Sequence, residues 1–236
     1  MNSIETSFSP TLFQHFDPTN RIVVVVDILR ATTVICTMFK SGVEEVIPVR
    51  TLDEAKHLKS DGYTVVAERH GLKVDFADFG NSPFYFTPEA IGGRAVVYST
   101  TNGTNAITIG TAAREVVIGS FVNFAAVKRY LLQQSSDILF LCAGWKGKFC
   151  LEDTLFVGAM AEELIQSGKF ETICDSTNCA LDIWNVARQN LPQYLEHVAQ
   201  RHRLKKLGFD DVINYCFTFD VTDKLPVLRN GKLVVR

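Results

Sequence analysis

The chain has 236 residues, 47% apolar and 21% charged, with a net charge of −2 and a pI near 6.2. This is globular composition, which excludes disordered and fibrous classes and offers no basic field for nucleic acid. No stretch approaches the roughly 18 apolar residues of a membrane helix, and the N-terminus carries no basic head before an apolar block.

Six cysteines without a CxxC pair predict buried free thiols in a reducing, cytoplasmic setting rather than a zinc site.

The elements follow one theme of apolar strand, polar loop and amphipathic helix. "RIVVVVDILRATTVICTMFKSG" predicts a buried strand at 22–26, a loop at 27–32 and a helix ending near Gly42. "EEVIPV" is the next strand, and "TLDEAKHLKSDG" a helix with Thr51 as N-cap and Glu54 at the capping-box position. "YTVVAER" is a strand leading into the long loop "HGLKVDFADFGNSPFYF", followed by a helical turn with Pro88 at its first position.

"RAVVYS" with "TTNGTNAITIGTA" repeats the theme, as do "EVVIGSF" with "NFAAVKRYLLQQ", where Asn123 is a plausible cap. "DILFLCAG" is the last central strand and "LEDTLFVGAMAEELIQSG" the helix behind it. Residues 175–208 read as helical without a chemical signal, and the C-terminal stretch as a hairpin turned at Asn230–Gly231.

The expected class is α/β: layered α/β/α with a mostly parallel sheet, a mixed sheet being the variant. One domain over residues 1–236 is expected, and two subdomains would divide near 110–135. Ligands of such folds collect at the carboxyl ends of strands, where the polar loops of this chain fall.

Those loops carry the candidate chemistry. Asp27 ends a strand and either holds a divalent cation or caps the next helix, while Arg30 offers a guanidinium fork to an anion. Thr100, Thr101, Asn102, Gly103 and Thr104 form a candidate anion cradle, which is not a Walker loop because the Gly-Lys-Ser/Thr ending is absent. Glu152 and Asp153 start a helix, where the dipole welcomes acids, and would complete a metal site with Asp27. Lys146 and Lys148 read as solvated. The long loop adds Arg69 as partner for an acidic substrate, with Asn81 and Ser82 beside it. A haloacid-dehalogenase reading fails because Leu29 replaces the second acid of Asp-x-Asp, and no G-x-G-x-x-G supports a dehydrogenase.

Taken in order, "VDILRATT", "ERHGLKVDFADFGNSP", "STTNGT", "CAGWKGKFCLEDTL" and "FDVTDKLPVL" resemble the 2-phosphosulfolactate phosphatase family over nearly the whole chain. The resemblance implies Mg²⁺-dependent hydrolysis of a phosphate monoester on a sulfonated, carboxylated three-carbon acid, the reaction type of coenzyme M biosynthesis. For that substrate class the expected catalytic residues are Asp27, Arg30 and Arg69, and the expected substrate contacts are Asn81, Ser82 and residues 100–104. Asp27, Glu152 and Asp153 would surround the metal. Whether water or Asp27 attacks phosphorus stays open, with direct water attack favoured.

One departure is His70, where the family pattern carries a second Gly after the Glu-Arg pair. The alternatives are a phosphatase of the same fold acting on another small phosphorylated carboxylic acid, or a non-catalytic anion-binding protein. The expected partner is a small phosphorylated anion, with neither nucleic acid nor membrane, and a homodimer if the chain self-associates.

Overall fold

A computed structural model describes all 236 residues. Eleven strands are β1 (Asn2–Ser7), β2 (Ile22–Val26), β3 (Glu45–Pro48), β4 (Thr64–Arg69), β5 (Leu72–Lys73), β6 (Ala95–Ser99), β7 (Glu115–Gly119), β8 (Ile138–Cys142), β9 (Phe170–Glu171), β10 (Pro226–Arg229) and β11 (Lys232–Val235). They join in the order β5-β4-β6-β3-β11-β10-β7-β2-β8-β1-β9. Helices flank this large, mostly parallel sheet, as the alternating sequence pattern requires.

The parallel pairings fall into two blocks. β4, β6 and β3 form one, and β7, β2, β8, β1 and β9 the other. The C-terminal hairpin joins them, with β11 antiparallel to β3 through Leu233 and Val46, and β10 antiparallel to β7 through Val227 and Val117. Its turn places Asn230 at φ 50° and Gly231 at φ 79°, the left-handed pair a tight hairpin needs. The sheet is therefore mixed at its centre. Residues 110–135 lead the chain out of the first block, through β7 and helix Phe124–Leu131, toward β8.

β2 shows why the middle of the sequence is so apolar. All five of its residues are buried; Ile22, Val24 and Val26 join one core cluster with Phe140 and Phe156, while Val23 and Val25 join another with Leu139 and Leu141. A strand covered on both faces has no polar face to alternate with. The Thr51–Glu54 capping box forms as expected, with the Glu54 N–H donating to Thr51 Oγ1 at 3.1 Å and the Thr51 N–H to Glu54 Oε2 at 3.1 Å. All six cysteines are free thiols; Cys36, Cys142, Cys150 and Cys216 are buried as expected, whereas Cys174 is half-buried and Cys179 exposed, and no helix is long and apolar enough to cross a membrane.

Candidate functional site

Loops after β2, β4, β6 and β8 converge on one cavity of about 320 Å³. Asp27, Arg30, Asn81, Thr100, Thr101 and Asn102, all expected at the site, line it. Ser82, Gly103, Thr104, Glu152 and Asp153 are buried and stand outside the lining.

Asp27 does both things its position suggested. Its Oδ1 accepts from the Ala31 N–H at 3.2 Å, capping helix Ala31–Lys40, and the carboxylate also faces the cavity. Thr32 fixes the turn: its hydroxyl accepts from the Asp27 N–H at 3.1 Å and donates to the Asp27 carbonyl at 2.9 Å. Burial pushes the Asp27 carboxyl up to about 6, against the capping N–H, with the Glu68 charge adding to the rise.

Arg30 is buried to 3% exposure. Its Nη2 donates to the Gly71 carbonyl at 2.9 Å and its guanidinium stacks 4.5 Å from the Phe209 ring centre. Its Nη1 is buried without a hydrogen-bond partner. A native chain rarely leaves such a group unpaired, because an unmade bond to a charged donor is costly.

Glu68 ties two loops together from the end of β4. Oε1 accepts from the Thr101 N–H at 2.8 Å and the Thr101 hydroxyl at 2.9 Å, while Oε2 accepts from the Gly71 N–H at 2.6 Å. Strand alternation puts Arg69 on the opposite face. There Arg69 donates to the Glu68 carbonyl at 2.6 Å, the Arg50 carbonyl at 3.3 Å and Ser99 Oγ at 3.1 Å. Expected as a partner for an acidic substrate, Arg69 thus spends its guanidinium on main chain and Ser99 and stands outside the cavity lining.

The 100–104 knot is also more self-contained than a free cradle. Thr100 Oγ1 accepts from the Thr104 N–H at 3.3 Å, and the Thr104 hydroxyl donates to the Thr100 carbonyl at 3.2 Å. Asn102 Oδ1 accepts from the Lys146 N–H at 3.3 Å, joining this loop to the one after β8. The polar residues are numerous because they fasten one loop to the next.

Among the expected metal ligands, Asp153 is committed elsewhere. Its Oδ1 accepts from the Ile28 N–H at 2.9 Å and its Oδ2 from the Gly144 N–H at 3.1 Å, so it pins the loops after β2 and β8 side by side. Burial raises its carboxyl, as do Glu152 and Asp27. Burial likewise pushes Glu152 up to about 7, with Asp27 adding to it. No group of three His, Cys, Asp or Glu side chains is arranged to hold a metal ion, so the expected ligand set of three is not assembled. Asp153→Asn turns one acceptor into a donor facing a backbone N–H. It should lower stability by about 1–3 kcal/mol, read as a lower urea midpoint.

Sequence reasoning missed the far wall. Trp145, Gln200, Arg203, Lys206 and Leu207 line the cavity, and Lys146, exposed as expected, stands at its edge. The signal was present in "QRHRLKKL": Gln200 and Arg203 share a face of helix Ala199–Lys206, and Leu207 follows at the same spacing as its C-cap. His70 also lines the cavity and holds φ 59°, followed by Gly71 at φ 88°. That left-handed backbone is what a Gly supplies without strain.

Residues 8–231 match the family model described as 2-phosphosulpholactate phosphatase. A probable 2-phosphosulfolactate phosphatase of Caldanaerobacter subterraneus subsp. tengcongensis is 36% identical over 213 residues, 89% of this chain and 88% of that relative. Proteins of the same description are 36% identical over 216 residues in Thermotoga maritima, 92% of each chain, and 34% identical over 219 residues in Clostridium perfringens, 90% of this chain and 88% of the relative. With a family match across most of its length, the chain belongs to the 2-phosphosulfolactate phosphatase family.

Proposed function

We propose that this chain hydrolyses the phosphate monoester of 2-phosphosulfolactate to sulfolactate and phosphate, the reaction type of coenzyme M biosynthesis, with Mg²⁺ and in the cytoplasm. The observation that carries the reading is Arg30 Nη1, a buried guanidinium nitrogen without a partner, in a cavity that Asp27 shares. An anionic oxygen is the acceptor such a donor requires.

The acidic end of the site fits one Mg²⁺ on electrostatic grounds. The Asp27 charge raises the affinity of Glu152 for protons, a repulsion a divalent cation would relieve, and Mg²⁺ is commonly held by one or two carboxylates plus substrate phosphate. Asp27 and Glu152 would hold it, with Asp153 positioning both loops from behind. The ion supplies charge neutralisation on the transferring phosphoryl group. Arg30 binds a non-bridging phosphoryl oxygen and orients phosphorus for attack by water, while Glu68 keeps the 69–71 and 100–102 loops in register around the substrate. Water's oxygen forms the new bond to phosphorus as the ester oxygen leaves with the sulfolactate.

Phosphate release from racemic 2-phosphosulfolactate and 2-phospholactate, each with Mg²⁺ and with excess EDTA, tests this. Metal-dependent turnover favouring the sulfonated ester is expected. Equal turnover of both esters would keep the phosphatase and remove the sulfonate specificity. Turnover of neither by folded protein would overturn the reading.

A further inference from the structure

The cavity carries more positive charge than a phosphate ester needs. Arg30, Lys146, Arg203 and Lys206 line it against the two carboxylates Asp27 and Glu68, and Glu68 is already satisfied by N–H and hydroxyl donors. The cations also stand at two depths. Arg30 is buried, whereas Lys146 and Lys206 are exposed at the mouth.

The mouth is organised around Arg203. Its Nε donates to Gln200 Oε1 at 2.6 Å, its Nη1 donates to the His70 carbonyl at 3.0 Å, and its guanidinium lies 5.7 Å from the Trp145 ring centre. Arg30 donates to the next carbonyl along, that of Gly71. Two successive carbonyls therefore hold the inner and outer arginines at a fixed spacing. The tips of Arg203 and Leu207 pack closely on Gly71, where a Cβ would stand 2.8 Å from Arg203 Nη1 and 3.1 Å from Leu207 Cδ1. The helix is thus seated directly on the strip that holds Arg30. Lys206 lines the same cavity and enters no ion pair or side-chain hydrogen bond.

We infer that Lys206, steadied by the Arg203 bracket, reads the second strong-acid group of the substrate, which makes helix Ala199–Lys206 the specificity element of this site. The inference rests on the proposed phosphatase reading and assigns its sulfonate contact. The phosphoryl group is bound at the inner end, by Arg30. A sulfonate stays ionised throughout the physiological pH range and presents three oxygens, which an ammonium with three rotatable donors serves as a point charge. Lys206 alone among the cavity's cations has no protein partner holding it, because Lys146 lies 4.9 Å from the Trp145 ring centre and both arginines are fastened.

Calorimetric titration of the native protein, Lys206→Gln and Lys206→Arg with racemic sulfolactate and with lactate, in Mg²⁺ buffer, tests it. Native protein should bind sulfolactate at least about tenfold more tightly than lactate, as one charge-assisted contact at a partly screened mouth implies. Lys206→Gln should lose about tenfold in that preference, and Lys206→Arg should recover most of it. A native preference kept intact by Lys206→Gln, or no preference in the native protein, would overturn the assignment. Selective sulfolactate binding that depends on Lys206, in a protein that releases no phosphate, would uphold this contact while removing the phosphatase reading.

Discussion

Asp27→Asn should reduce phosphate release from 2-phosphosulfolactate by roughly 10²–10⁴-fold, the range lost with a carboxylate that acts directly on the reacting group. The substitution is nearly isosteric and keeps a side-chain oxygen for the Ala31 N–H, so the helix cap survives. Stability should move the other way. Burial holds the Asp27 carboxyl at about 6 against an ordinary 3.8, so the folded state binds a proton more readily than the unfolded chain. Stability from this group is full below about pH 4 and is lost as pH rises toward 6. In EDTA, the variant should gain on the native protein across that window, by on the order of 3 kcal/mol at pH 7. Paired activity assays and urea titrations at pH 4.5 and 7 check both halves. A variant that is inactive and also less stable at pH 7 would point to a structural carboxylate instead.

The two halves of that prediction trace to features of unequal visibility in the sequence. Asp27 was legible because an unbroken apolar run ended on an acid, and a strand buried on both faces has a recognisable composition. Glu152 and Asp153 were legible as a helix start, but not the division of labour between them, since the Ile28 and Gly144 N–H groups that occupy Asp153 come from distant loops. The placement of Arg69 outside the cavity lining was legible in the phase of β4. Val65 and Ala67 pack in one cluster and Val66 in another, and that alternation sends Glu68 and Arg69 to opposite sides. The first strand, Asn2–Ser7, was not read at all, because its polar sequence becomes a strand only between β8 and β9. The hairpin was legible from Asn230–Gly231, but its central place was not, since its partners Val46 and Val117 lie more than 100 residues away. Local pattern names an element; it carries no information about which neighbours complete it.

Gly103→Ala should damage the site from outside its lining. Gly103 opens helix Gly103–Ile109, and an added Cβ would collide with the Ala31 side chain and stand 2.8 Å from Asp27 Oδ2. Neither neighbour yields easily: Ala31 begins the helix that Asp27 caps, and Asp27 is held by that cap and by Thr32. Relief must come from separating the 100–104 loop from Asp27, which also pulls on Glu68 through Thr101. Overpacking of this kind costs about 1–3 kcal/mol, and a displacement near 1 Å at a reacting centre costs about 10²-fold in rate. The variant should therefore fold, melt several degrees lower, and lose about 10²-fold in kcat, with Mg²⁺ still required for what remains. Differential scanning calorimetry beside steady-state phosphate release measures both. Native kcat in Gly103→Ala would show that the approach of this loop to Asp27 is packing alone, and would remove the loop from the catalytic arrangement.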